Sequence, residues 1–388
     1  MERLVTSELK LGIIAGGQLG KMLIQEASKW DIISFVLDKD EDCPAGKIAS
    51  RFIKGDHLDF ESVYQFGKQV DILTFEMENI NIDALRKLKS EGLKIAPDPE
   101  ILALIQDKGL QKEFYKKNGI PTSPYTLVES ARELREAIEK GKIGFPFVQK
   151  VRKGGYDGRG VAVVNSSYDI SKLLEGPSVV EDKVEIVKEI AVIAARNRKG
   201  EIRCYPVVEM LFDPHANLVD KLICPSSVTV EQSEKAIGIA SELIELLNME
   251  GVLAVEFFIN TAGEVIVNEV APRTHNSGHH TIESIITSQF EQHLRAILNL
   301  PLGSTKLKLP SVMLNILGDE GYEGPVLYEG LTESMAIEGV KIHLYGKKTT
   351  MPYRKMGHVT VLSSTLECAL KKAEKVNQLI KVKSWTKE

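Results

Sequence analysis

Apolar residues recur along this chain with two different spacings, and the change from one to the other marks out its segments. Residues 10–15, 32–37, 72–75 and 94–96 are short apolar runs bounded by turn formers, the pattern of buried strands. Residues 21–29, 60–69 and 83–90 carry their apolar positions at helical intervals instead. Strand and helix alternate, so a small doubly wound parallel sheet is expected over residues 1–100.

After Pro97-Asp98-Pro99 the pattern changes. Residues 101–118 read as one lysine-rich helical region that ends at Gly119-Ile120-Pro121, which looks like a domain junction. An amphipathic helix over 131–140 precedes strand-like runs at 144–150, 161–164 and 178–181. Residues 189–196 and 202–208 alternate as a sheet does, a loop covers 212–217, and 230–249 is helical. Two apolar runs then flank Ala262 and Gly263 as the arms of a hairpin. A helix over 281–298, a loop over 301–310 and strands at 312–316 and 341–344 lead into a compact, basic, β-rich ending. Domains are therefore expected at 1–100, 101–182 and 183–388.

Composition narrows the function classes. A chain of 388 residues exceeds one ordinary domain, and its 43% hydrophobic and 27% charged residues are ordinary globular usage. The net charge of -5 disfavours nucleic acid or an anionic membrane as partner, so a small anionic substrate would need a locally basic pocket. Four cysteines, Cys43, Cys204, Cys224 and Cys368, show no metal-type spacing, and there is neither a signal-like segment nor an apolar run long enough to span a bilayer. A reducing cytoplasm is the expected location.

Candidate chemistry concentrates in five places. Glu256 and Glu269 lie one on each arm of the hairpin, with Asn268 beside them, in greasy surroundings. Buried acids need a partner, and a hard divalent cation shared with nucleotide phosphates is the cheapest one. A salt-bridged pair of strand acids is the bland alternative. The glycine loop Lys153-Gly154-Gly155-Tyr156-Asp157-Gly158-Arg159-Gly160 joins two strands and offers amides and positive charge to a polyphosphate. An earlier loop, Ala15-Gly16-Gly17-Gln18-Leu19-Gly20 with Asp38 further on, matches a dinucleotide fingerprint weakly, and a ligand-free tight turn is as good a reading. Glu76 and Glu78 end a strand, where carboxylates are either ligands or surface and capping groups. Lys347, Lys348, Arg354 and Lys355 sit around glycines near the C-terminus, as a phosphate-bearing substrate requires.

The order of these pieces resembles the ATP-grasp ligases over essentially the whole chain. The resemblance rests on Ala15 to Gly20, Thr74-Phe75-Glu76-x-Glu78-Asn79, Gly154 to Gly160, Asn268-Glu269-x-Ala271-Pro272-Arg273-x-His275-Asn276-Ser277-Gly278-His279-x-Thr281 and Arg354-Lys355-Met356-Gly357-His358. It implies an α/β and α+β chain, an ATP-grasp fold preceded by a small doubly wound parallel-sheet domain and followed by a small β-rich part. The run from Arg273 to His279 is similar to the branch of the family that joins bicarbonate to the amine of 5-aminoimidazole ribonucleotide through carboxyphosphate.

The resemblance also implies roles. Lys108, where the family usually has arginine, Lys150, Gly155, Tyr156, Asp157, Gly158, Arg159 and Gly160 would hold the nucleotide, with Glu181, Val184 and Glu189 at adenosine. Glu256 and Glu269 would bind Mg²⁺, for which Mn²⁺ can substitute, with Asn268 alongside. Tyr156, Asp157, Arg273, His275, Asn276, Ser277, Lys347 and Arg354 would surround the ribonucleotide, Arg273 orienting the bicarbonate and Asp157 or His275 taking the amine proton. A homodimer acting on small molecules, with no nucleic acid and no membrane, is expected. Val161, Phe212, Met351 and Tyr353 depart from the family's usual residues. Three other readings stand beside this one: another ATP-grasp carboxylate-amine ligase, a nucleotide sensor without turnover, and an NAD-dependent dehydrogenase built on Gly17, Gly20 and Asp38.

Overall fold

The chain is described by a computed structural model over residues 7–155, 160–212 and 219–385. Its first part is a five-stranded sheet of β1 (Lys10–Ile14), β2 (Ile33–Asp38), β3 (Arg51–Lys54), β4 (Ile72–Phe75) and β5 (Lys94–Ile95), all parallel in the order β3-β2-β1-β4-β5. Helices α1 (Gln18–Ala27), α2 (Phe60–Gly67) and α3 (Ile82–Ser90) are its crossovers, as the doubly wound pattern predicts. The strands read as unbroken apolar runs because both faces are covered, one by α2 and α3 and the other by α1.

Helices α4 (Pro99–Gln106) and α5 (Lys108–Asn118) lead to the small lobe. The sequence predicts one helix here, but Asp107 divides it. Its carboxylate accepts from Gly109 N–H at 2.9 Å and Leu110 N–H at 3.2 Å, so it caps α5 and starts a new axis. The small lobe is a four-stranded antiparallel sheet of β6 (Tyr125–Val128), β7 (Phe147–Val151), β8 (Val161–Val164) and β9 (Ser178–Asp182), with α6 (Ala131–Glu139) packed on it.

The large lobe is one long sheet. Strands β10 (Ile186–Arg196), β11 (Ile202–Cys204), β12 (Val208–Phe212), β13 (Val219–Cys224), β14 (Gly251–Asn260), β15 (Val265–Ala271) and β16 (Ser311–Leu317) belong to it, as do β18 (Val340–Leu344) and β20 (Lys355–Leu362). The order is β15-β14-β10-β12-β13-β16-β20-β18, with β11 on the edge of β10. The single strand predicted over 202–208 is two, because Pro206 has no N–H to give a ladder. Helix α7 (Val230–Leu246), closed by a Thr229–Gln232 capping box, covers β10 and β14.

The helix predicted over 281–298 is also two, α8 (Thr281–Ser284) and α9 (Gln289–Ile297). Between them the backbone turns aside, Ile286 N–H donating to Lys306 O and Thr287 N–H to Ser304 O at 3.1 Å each, and Ser288 caps α9. Phe290, Leu294 and Ile297 of α9 are fully buried against Leu19, Met22 and Leu23 of α1, so α9 joins the first domain to the long sheet. The C-terminal part adds β17 (Gly324–Glu329), β19 (Thr349–Thr350) and β21 (Lys381–Ser384), with α10 (Leu331–Met335). Helix α11 (Leu366–Leu379), which the β-rich expectation did not include, packs Ala369, Ala373 and Val376 on β16 and β20. Lys355 to His358 belong to β20, and His358 pairs directly with His343 of β18.

Candidate active site

Glu256 on β14 and Glu269 on β15 are directly opposed residues of the antiparallel hairpin. Val255 and Phe257 face the α7 core, so Glu256 faces the other way, toward the small lobe. On β15 the register shifts after Glu269, because Phe257 pairs with Val267 and leaves Asn268 as an extra residue. That bulge turns two consecutive side chains, Asn268 and Glu269, toward one cleft, which a regular strand cannot do.

The small lobe answers with lysines. Lys108, the first residue of α5, places its ammonium 2.9 Å from Glu269 Oε2, and Lys150 of β7 donates to Asn268 Oδ1 at 3.0 Å. Lys150 also lies 3.1 Å from Glu181, whose carboxylate meets Lys112 at 3.1 Å and Ser123 Oγ at 2.9 Å. Asp107 fixes this arrangement from behind, since its carboxylate takes Arg152 in two bonds at 2.8 and 2.9 Å while capping the helix that presents Lys108. Lys112 was not singled out from sequence, although it follows Lys108 by four residues on one helix and so shares its face.

The charges are unevenly balanced. The Lys108 ammonium beside Glu269 holds that carboxyl well below the usual range. Burial pushes Glu256 up to about 8, with the neighbouring Glu269 and Glu189 adding to it. Burial likewise lifts Glu189 to about 7, against the pull of Lys150. Burial disfavours charge at Glu181 too, but Lys150 and Lys112 outweigh it and keep that carboxyl low. Val184 lies in the short connection between β9 and β10, where the two lobes join.

Beyond β15 the chain swings toward the first domain. Arg273 pairs with Glu78 at 2.8 Å and donates to Thr274 O at 3.0 Å, while its Nε is buried without a hydrogen-bond partner. His275 Nδ1 accepts from Ser277 N–H at 3.3 Å and meets Ser277 Oγ at 2.9 Å, which leaves Nε2 facing Glu256 at 3.6 Å. Ser277 is buried at 1% exposure, so its hydroxyl orients His275 instead of lining an open surface. Asn276 belongs to the same short turn.

The remaining candidates divide. Gly155 and Gly160 frame the connection between β7 and β8, and Gly160 O accepts from Val151 N–H at 2.9 Å. Tyr156, Asp157, Gly158 and Arg159 lie outside the described residues. Lys347 donates to Lys355 O at 2.7 Å, and Arg354 donates to Thr349 O at 2.8 Å near the surface. Lys348, grouped with them from sequence, pairs with Asp42 of the first domain at 2.6 Å, as Lys47 does with Gly346 O at 2.7 Å. The earlier glycine loop has its anion position filled from within: Glu76 accepts from both Gly17 N–H and Gly20 N–H, and Asp38 accepts from Gly16 N–H at 2.7 Å. A dinucleotide would find those amides and that acid already engaged, which removes the support for a dehydrogenase.

Comparison with known proteins agrees with this layout. Residues 9–106 match the ribonucleotide synthetase preATP-grasp domain, 113–290 the ATP-grasp domain and 311–372 the phosphoribosylaminoimidazole carboxylase C-terminal domain. The chain is 38% identical to a chloroplastic phosphoribosylaminoimidazole carboxylase of Vigna aconitifolia over 92% of its own length and 65% of that protein. It is 37% identical to the N5-carboxyaminoimidazole ribonucleotide synthase of Bacillus subtilis over 91% of each. A crystal structure of N5-carboxyaminoimidazole ribonucleotide synthetase from Thermotoga maritima is 47% identical, with a TM-score of 0.89 over 97% of this chain and 100% of that one. A synthase from Aspergillus clavatus, in complex with ADP and 5-aminoimidazole ribonucleotide, is 32% identical with a TM-score of 0.86 over 96% and 98%.

Proposed function

The chain belongs to the N5-carboxyaminoimidazole ribonucleotide synthase family of ATP-grasp ligases, and from that membership we propose how its residues carry out ATP-dependent carboxylation of 5-aminoimidazole ribonucleotide in purine biosynthesis. It uses ATP and acts on small molecules. The chain spans 65% of the length of the Vigna relative.

The observation that carries the reading is the meeting of Lys108 and Lys150 with Glu269 and Asn268 across the two lobes. Ammonium groups from one lobe and carboxylates from the other are what a nucleotide triphosphate needs when it lies between them. A divalent cation fits the carboxylate side: Glu256, Glu269 and Glu189 crowd one face, and burial lifts Glu256 to about 8, with its two acidic neighbours adding to it. Mg²⁺ held by Glu256, Glu269 and Asn268, or Mn²⁺ in its place, would neutralise phosphate charge during transfer.

The chain's own groups divide the work. Lys108, Lys150 and the Gly155–Gly160 loop bind the phosphates, and Glu181, Val184 and Glu189 face the adenosine. The γ-phosphoryl group passes to a bicarbonate oxygen, giving ADP and carboxyphosphate. The amine nitrogen then bonds to the carbonyl carbon, directly or after CO₂ is released, as the C–O bond to phosphate breaks. Arg273 orients the carboxylate, and Asn276, Lys347 and Arg354 complete the ribonucleotide side. His275 Nδ1 is occupied by Ser277 and its Nε2 carries the proton, so His275 donates toward Glu256 and Asp157 takes the amine proton. Closure of the glycine loop keeps water from the intermediate.

Bicarbonate labelled with ¹⁸O tests the route. One labelled oxygen is expected in the released phosphate, and unlabelled phosphate would overturn it. We read the protein as a cytoplasmic homodimer, as the resemblance to the family implies; among the described residues no helix is long and apolar enough to cross a membrane.

A further inference from the structure

We infer that Gln289, a buried residue behind the acceptor loop, positions His275 and thereby the whole loop. Gln289 is the first residue of α9 and is fully buried at 0% exposure. Its carboxamide reads both backbone groups of one residue: Oε1 accepts from His275 N–H at 2.9 Å, and Nε2 donates to His275 O at 2.7 Å. A two-point amide contact of this kind fixes translation and rotation of the peptide together, as a sheet ladder does, and a single bond does not.

The same residue ties down the far end of the loop. Gln289 N–H donates to Thr281 Oγ1 at 2.9 Å, and the Thr281 hydroxyl donates to Gly278 O at 2.5 Å. Gly278 lies flat against the carboxamide, since a Cβ there would stand 2.4 Å from Gln289 Oε1. The loop from His275 to Gly278 is thus held at both ends by one residue, whose helix is locked into the core by Phe290 and Leu294. With the backbone so fixed, Ser277 N–H reaches His275 Nδ1 and the Nε2 proton is aimed at Glu256.

Gln289 has no exposed surface through which to touch a ligand, so its effect passes through His275. This rests on the reading that the loop serves the acceptor and not the nucleotide. Gln289→Met keeps the shape of the side chain and removes both bonds. It is expected to raise KM for aminoimidazole ribonucleotide and lower kcat on the order of ten- to a hundred-fold, with KM for ATP within about two-fold. In ¹⁵N spectra of histidine-labelled protein, the His275 ring signals are expected to leave the Nε2–H tautomer pattern. Gly278→Ala pushes on the same contact from the other side and should give the same acceptor-only defect, which covers the case of an unfolded Gln289→Met.

If both variants fold, bind the ribonucleotide as the parent does and leave the His275 signals unchanged, the inference is overturned. A defect confined to melting temperature, with kinetics intact in the folded fraction, overturns it equally. Failure of the underlying reading looks different: His275→Asn would then impair ATP affinity and spare the acceptor.

Discussion

Glu256 and Glu269 face each other at directly paired positions of neighbouring antiparallel strands, an arrangement that like charges disfavour. Among the described residues, of the two only Glu269 has an ammonium at salt-bridge distance, Lys108 at 2.9 Å, while Glu256 meets His275 at 3.6 Å. The hairpin therefore holds one carboxyl in its charged form beside Lys108 and pushes the other toward its neutral form.

Glu256→Gln should raise the melting temperature of the protein in EDTA at pH 8 to 9. A carboxyl raised to about 8 in the fold contributes stability below its unfolded pKa near 4.5, and that contribution is lost as pH rises toward 8. The gain should shrink toward pH 5. Mg²⁺ with nucleotide should then stabilise the parent far more than the variant, and turnover should fall by a factor on the order of a thousand. Glu269→Gln should lose turnover as well, but without the gain in stability, because it strands Lys108. Equal melting curves for Glu256→Gln and the parent in EDTA would contradict the crowding.

Lys112→Met should destabilise the protein by roughly 3 kcal/mol, because it takes one of two ammonium partners from a buried carboxylate, Glu181. Adding Glu181→Gln should recover part of that loss, and urea unfolding of the single and double variants measures the coupling. Weaker ATP binding is expected once Glu181→Gln is added, as Lys150 then loses its anchor.

Stability should fall as pH drops from 6.5 toward 4, through buried imidazoles that the fold keeps neutral, His293 and His280 among them. His293 is fully buried, with Nδ1 accepting Val252 N–H and Nε2 bonded to Thr74 Oγ1, and burial depresses it to about 4. His280, bonded to Ser284, is depressed to about 3. A folded pKa below the unfolded 6.5 means that stability is fully present above 6.5 and is lost as pH falls through that window. For His293 the effect is on the order of 3 kcal/mol, and His293→Gln, which can keep both bonds, should make the stability profile between pH 6.5 and 4 shallower by about that amount.

Arg273→Ala should leave ATP binding nearly intact and raise KM for the ribonucleotide about a hundred-fold, read by titration calorimetry and steady-state kinetics. Glu78→Gln should produce a milder form of the same defect, since Arg273 keeps its bond to Thr274 O while losing its carboxylate partner. Loss of nucleotide affinity in either variant would place Arg273 on the wrong side of the site.

The periodic stretches were legible because their signals are local. β4 (Ile72–Phe75) and β8 (Val161–Val164) end where the apolar run ends, and the parallel first sheet follows from strand and helix alternation alone. Each helix that proved to be two was broken by a cap, Asp107 or Ser288, whose effect depends on which amide it finds. Lys348 shows the opposite limit. Its charge belongs in a basic cluster by sequence, and Asp42, more than three hundred residues away along the chain, claims it.

By itself the sequence determined the strand and helix periods, the pairing of two acids across a hairpin, and the motifs that place the chain among ATP-grasp ligases. Tertiary structure alone decided how those acids are charged, because pKa depends on burial and on which ammonium arrives from the other lobe. It also decided that Asn268 and Glu269 face one cleft, through a bulge that no residue pattern announces. And it made Gln289, a plain polar residue at the start of a helix, the anchor of His275, because a two-point amide contact exists only once the chain has brought both backbone groups to it.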